Sequence, residues 1–187
     1  MPRYDNIFEA AEKGTVEDVK YFVEQKGVNV NIKDSTNHTI LECALVLGKN
    51  AEIIKYLISK GADIEPHWIF SAIGMGEGSL ETVKLFIEKG VNVNHRDSGM
   101  FPLLLAAGEN DIEVAKYLIS KGADLNMASS TTGQTPIQLA VTKGNTEMVN
   151  FLNEQKRKIT PKKVIGIAIQ VIVILVLLRA CAACLGM

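Results

Sequence analysis

The sequence predicts an all-α fold. We read a solenoid of about five helix-turn-helix units over residues 1–155 and one transmembrane helix over 164–185. Three observations carry this. The phrase KYLISKGADI, Lys55 to Ile64, returns as KYLISKGADL, Lys116 to Leu125, and more loosely as KLFIEKGVNV (Lys84 to Val93) and KYFVEQKGVNV (Lys20 to Val30), the last with one extra residue. Gly27, Gly61, Gly90 and Gly122 punctuate the copies at spacings of 34, 29 and 32 residues, a period range that marks stacked supersecondary units. The third observation is a charge-free apolar run from Val164 to Leu178.

The phrase reads as the second helix of each unit and its exit. Ile53, Ile54, Tyr56, Leu57 and Ile58 make an apolar stripe at helical spacing. Ser59 and Lys60 end the helix, and Gly61 supplies the left-handed residue that caps a helix C-terminus.

The first unit, about 4–30, opens with IFEAAEKG (Ile7 to Gly14), followed by a second helix marked by Val16, Val19, Tyr21, Phe22 and Val23. It serves as the N-terminal cap, whose outer side faces water. The second unit, 31–63, has the turn-rich loop KDSTNH, the helix TILECALVLG with Thr39 as N-cap and Glu42 at capping-box spacing, and the helix AEIIKYLISKG.

The third unit, 64–92, lacks most of that loop, and Gly74, Gly76 and Gly78 are expected to loosen the link between its helices. These glycines follow no strand and precede no Lys-Ser/Thr pair, so they make no phosphate loop. The fourth unit, 93–125, has Gly99 in its turn and Pro102 in the first helical turn. The fifth, 126–155, is the most regular, with Thr135 as N-cap and Pro136 at N1.

TPIQLAVTKGNTEMVNFL (Thr135 to Leu152) and GADLN (Gly122 to Asn126) resemble the ankyrin repeat, which opens Thr-Pro-Leu-His-x-Ala. The resemblance covers about Tyr4 to Gln155. It departs at Ile40, which stands for proline, at Phe101, which stands for threonine, and at the motif histidine, which no repeat keeps. It implies antiparallel helix pairs with projecting loops, and a binding scaffold in place of an enzyme. Partners would meet the loop tips, here Lys33 to His38, His95 to Met100 and Ser129 to Gln134, and the face lined by first helices. On that analogy the partner-binding residues are Asp34, Asn37, Arg96, Asp97, Met100 and Thr132. Trp68 and Phe70, beside the shortened loop, are candidate anchors because aromatics are enriched at hot spots. The plainer reading makes Phe70 core and Trp68 partly exposed packing.

Charge is asymmetric. The net charge is −1, yet residues 1–155 hold all 21 acidic residues against 14 Lys/Arg, while 156–187 hold 6 Lys/Arg and no acid. An acidic body argues against nucleic-acid binding, which needs clustered Lys/Arg. His38, His67 and His95 lie in separate segments without ligand-spaced companions. No nucleophile-elbow or phosphate-loop pattern occurs, so we expect no enzyme, metal or cofactor. Cys43, Cys181 and Cys184 make no disulfide framework, and Cys43 reads as packing. The N-terminus MPRYDNIFEA carries no apolar signal region, which places the repeats in a reducing cytosol.

The basic neck, 156–163, precedes the apolar run, and Pro161 punctuates it. Fifteen uncharged residues reach about 22 Å as a helix. Continuing to Leu185 gives about 33 Å, enough for a ~30 Å hydrocarbon core. Its 12 Ile, Leu and Val residues favour insertion by about 4–7 kcal/mol, against about 3 kcal/mol for Arg179. Arg179 is placed to snorkel. A core helix would need a groove that hides apolar surface all round. Five Lys/Arg before the run and one after it put the repeats on the cytosolic side of a single-pass, tail-anchored topology.

Cys184-Leu185-Gly186-Met187 has the length of a prenylation box, although Gly186 stands where an aliphatic residue is expected. Cys181 and Cys184 are candidate lipidation sites, against the plainer reading as small apolar residues at a helix end.

The leading expectation is therefore an adaptor that holds a cytosolic protein partner at a membrane. Two alternatives stay open. One is a structural or oligomerising membrane protein acting through its tail, where Gly166 and Ala168 would allow close helix contact. The other, from family resemblance alone, is a secreted effector of an intracellular bacterium.

Overall fold

The computed structural model describes residues 3–158. Within them the chain is helical, with isolated bridges in place of strands. The helices pair in order: α1 (Ile7–Lys13) with α2 (Val16–Lys20), α3 (Ile40–Cys43) with α4 (Ala51–Ser59), and α5 (Trp68–Ile73) with α6 (Ser79–Glu88). α7 (Pro102–Gly108) then pairs with α8 (Ile112–Ser120), and α9 (Pro136–Lys143) is followed by α10, residues 146–158. First helices α1, α3, α5, α7 and α9 stack in one row, and second helices α2, α4, α6 and α8 in another. The core is the seam between the rows. Ala10, Ala44, Ala72, Ala106 and Ala140 recur there with no exposed surface, because a methyl side chain lets neighbouring first helices approach closely.

Helix starts match the expected chemistry. Thr15 and Thr135 each form a reciprocal capping box, with Asp18 and Gln138. Asn6, Asn50 and Asp111 cap α1, α4 and α8 through their side-chain oxygens. Thr39 caps α3 by accepting from Glu42 N–H at 3.1 Å. The return bond expected of Glu42 is not formed. Its carboxylate lies 3.9 Å from His38 Nε2 instead.

Two helices run on into wider, π-helical turns: α2 through Tyr21–Gln25 and α3 through Ala44–Gly48. The first absorbs the extra residue of KYFVEQKGVNV. The second absorbs one that the repeat phrases do not reveal, since Thr39 to Asn50 spans 11 residues where Thr135 to Asn145 spans 10. A π turn takes up a single inserted residue without breaking the helix.

The glycine-rich link of the third unit corrects an expectation. It is packed, not loose. Met75 is buried, Ser79 Oγ donates to the Ile73 carbonyl at 3.1 Å, and Gly76 and Gly78 take φ of +80°. A Cβ on Gly78 would lie 2.7 Å from Ala51 Cβ, so glycine is what allows the starts of α4 and α6 to meet. α10 runs on through Lys156, Arg157 and Lys158, the first residues of the basic stretch, and Lys158 pairs with Glu154 at 2.7 Å.

Among the described residues no helix is long and apolar enough to cross a membrane. The expected span 164–185, the rest of the neck, Cys181 and Cys184 lie outside the described residues.

Candidate binding surface

Three loops stand out from the helix stack as short fingers, each closed by its own backbone. In the second repeat, Lys33 and Thr39 form an antiparallel bridge, and Asp34 N–H donates to the His38 carbonyl at 2.9 Å. Asp34 Oδ1 accepts three bonds, from Thr36 N–H (2.8 Å), Thr36 Oγ1 (2.7 Å) and His38 N–H (2.9 Å). These bonds, led by the Thr36 hydroxyl, hold its carboxyl below the usual carboxylate range. Asn37 closes the turn at φ +69°, a conformation asparagine tolerates better than most residues.

In the fourth repeat, Asp97 and Met100 exchange N–H···O bonds of 3.1 and 2.8 Å around Ser98 (φ +50°) and Gly99 (φ +83°). Two successive positive φ values define the tight turn suited to a hairpin. Arg96 lies over the Phe101 ring at 5.9 Å. In the fifth repeat, Ser129 is buried and its Oγ accepts from Thr131 and Thr132 N–H at 3.3 Å, while its own N–H reaches the Gln134 carbonyl at 2.9 Å. The fourth and fifth fingers touch: a Cβ on Gly99 would lie 2.6 Å from Thr131.

The third repeat has no finger. Residues 64–67 pass straight into α5, as its short loop predicts. There the expected roles of the aromatics are exchanged. Trp68 is only 4% exposed and belongs to the core, edge-on to His67 at 5.8 Å. Phe70 is half-buried, with its ring 6.0 Å from that of His95 at the base of the next finger. In the folded protein Trp68 therefore presents little surface to a partner. Their place beside the shortened loop did not tell which face of α5 its neighbours cover.

Of the other expected partner residues, Asn37, Arg96, Asp97 and Thr132 are exposed at finger tips, while Asp34 and Met100 are half-buried. They sit on three fingers separated by the missing one, and do not converge on one pocket. Sequence reasoning missed a hollow of about 230 Å³ beneath the second finger, lined by Asp34, Thr36, His38, Glu42, Cys43, Val46 and Leu47. The long spacing from Thr39 to Asn50 was its available signal. Cys43 is buried there, as expected of a packing residue. Burial first, then Asp34, Glu42 and Glu12, push its thiol up to about 11. Among the described residues, no group of three or more His, Cys, Asp or Glu is placed to hold a metal ion.

A family model described as Ankyrin repeats (3 copies) matches residues 5–67 and 69–163. The two matches divide at Trp68, where the third finger is missing. Ankyrin repeats are a protein-binding fold, generally without catalysis. Paired helices in two rows, fingers at the repeat junctions and this match over most of the sequence together show that the chain belongs to the ankyrin repeat family.

Proposed function

We propose that the chain is a non-enzymatic adaptor whose repeats hold a cytosolic protein partner and whose residues 164–185 tether it to a bilayer as a single-pass span. The observation that supports the binding half is the set of fingers. Their backbones are fixed by internal hydrogen bonds, while Asn37, Asp97 and Thr132 stand exposed at the tips. Rigid display of this kind lowers the ordering cost of association. The tethering half rests on sequence: Val164 to Leu178 carry no charge and lie between five Lys/Arg and Arg179.

The test uses the full chain in sealed membrane vesicles. We expect it to float with the vesicles, to resist alkaline wash, and to lose its repeats to externally added protease. Recovery in the supernatant, or protection of the repeats, overturns the tether. Photocrosslinkers at Asn37, Asp97 and Thr132 should capture a protein in native membranes. Crosslinks that form only from residues 164–185 would instead support the reading of a tail-driven oligomer.

A further inference from the structure

The second repeat differs from the fourth and fifth in its first helix. The inserted residue is taken up in a π-helical turn over Ala44–Gly48, in which Val46 is 48% and Leu47 59% exposed. Counted from the helix start, the fourth repeat has Gly108 and Glu109 at these two places and the fifth has Thr142 and Lys143, preceded by a single exposed aliphatic, Val141, at 61%. Two adjacent exposed aliphatic side chains beside a hollow are a feature of interaction surfaces, and π turns recur at functional sites.

The hollow is apolar along the helix and anionic at its rim. Val46, Leu47 and Cys43 line the helix side, and Asp34 and Glu42 stand at the edge with His38 between them. The His38 ring is 3.9 Å from Asp34 Oδ2 through Nδ1 and 3.9 Å from Glu42 Oε1 through Nε2. Among the described residues neither carboxylate has a Lys or Arg partner, and no Lys or Arg lines the hollow. The occupant must satisfy both halves. A purely apolar side chain would cover the Glu42 carboxylate, and the Asp34 Oδ2 that the finger's bonds to Oδ1 leave over, without a Lys or Arg partner for either. An acidic one would meet like charge. A small hydrated cation would leave the aliphatic pair in water. A long apolar stem that ends in a cation fits all three constraints.

Resting on the protein-binding reading above, we infer that this hollow receives a lysine or arginine side chain of the protein partner. Its stem lies on Val46 and Leu47, and its charged head lies against Asp34 and Glu42.

The test is selection of phage-displayed random dodecapeptides on the full chain in lipid nanodiscs. Enriched peptides should share a Lys or Arg. They should bind both the Asp34→Asn/Glu42→Gln variant and the Val46→Ser/Leu47→Ser variant at least about tenfold more weakly. Asparagine keeps the Oδ1 acceptor that the finger needs, and Val46 and Leu47 are exposed, so both variants should keep the parent's circular dichroism. A shared acidic or purely apolar residue, or full affinity for both variants, overturns the inference. Binding lost on Asp97→Ala or Thr132→Ala but kept on both hollow variants overturns it while leaving the adaptor reading intact. Failure to enrich any peptide counts against the adaptor reading itself and removes this one with it.

Discussion

Asn31 ties the end of its own repeat back to the start: its Nδ2 donates to the Gly61 carbonyl at 3.2 Å, and its Oδ1 accepts from Asp63 N–H at 2.9 Å. Asn94 repeats the device with Gly122 (3.1 Å) and Asp124 (3.0 Å). In the third repeat Glu65 takes the corresponding place, after GADI where the others read GVNV or GADL, and no such clamp forms among the described residues. The third repeat lacks both clamp and finger, whereas the fifth keeps its finger although Asn126 forms no such clamp among the described residues.

Asn31→Ala and Asn94→Ala should each cost about 1–2 kcal/mol, the net value of two hydrogen bonds. They share no partner, so the double variant should be additive to within about 0.5 kcal/mol. Urea denaturation monitored by circular dichroism measures this. An unchanged midpoint in both variants would show that the clamp contributes nothing to stability.

The tyrosines of the two phrase copies should respond oppositely to loss of their hydroxyl. Tyr56 Oη donates to Glu24 at 3.1 Å, and Glu24 also pairs with Lys60 at 3.0 Å. Tyr117 occupies the same position in α8, with Lys84 and Lys121 near its ring as Lys20 and Lys60 are near that of Tyr56. Its hydroxyl is buried without a hydrogen-bond partner among the described residues. Tyr56→Phe should destabilise by about 1 kcal/mol, while Tyr117→Phe should be neutral or stabilising because it removes an unsatisfied group. Equal losses in the two variants would contradict this.

Gly76 and Gly78 share φ +80° but differ in surroundings: a Cβ meets nothing within 4 Å at Gly76 and meets Ala51 Cβ at 2.7 Å at Gly78. Gly76→Ala should therefore cost about 1 kcal/mol of backbone strain. Gly78→Ala should cost about 1–3 kcal/mol more, through overpacking. If the losses proved equal, the α4–α6 approach would not be the reason for glycine at 78.

The Cys43 thiol is raised from 9.0 to about 11, first by burial. Its protonated form is favoured in the folded state. The resulting stability is fully present below pH 9.0, and falls as pH rises toward about 11 because the unfolded chain releases the proton sooner. In a Cys181→Ser/Cys184→Ser background, iodoacetamide should label Cys43 slowly in the folded protein and rapidly once denatured. Thermal midpoints should drop across that alkaline window more steeply than in Cys43→Ala. Rapid labelling near neutral pH would show that the thiol is neither buried nor raised.

Much of the fold was legible because its signals are local. The Gly61 and Gly122 caps, the Thr39 and Thr135 N-caps, Pro102 and Pro136 at helix starts, and the missing third finger can all be read within a dozen residues of chain. The surface was legible in part. Turn composition found the fingers and placed Asn37, Asp97 and Thr132 at their tips. The hollow under the second finger escaped, because it arises from one residue added inside a helix whose apolar spacing otherwise looks ordinary.

The sequence by itself determined the module, its approximate number, its helix ends and its polar loops, since spacing fixes which side chains share a helix face. Only the tertiary structure decided which neighbour covers each face. It buried Trp68 and left Phe70 against His95, made Gly78 a contact in place of a hinge, exposed Val46 and Leu47, and closed Asn31 onto Gly61 and Asp63. These outcomes depend on residues some thirty positions apart meeting when repeats stack, and helical periodicity carries no information at that distance.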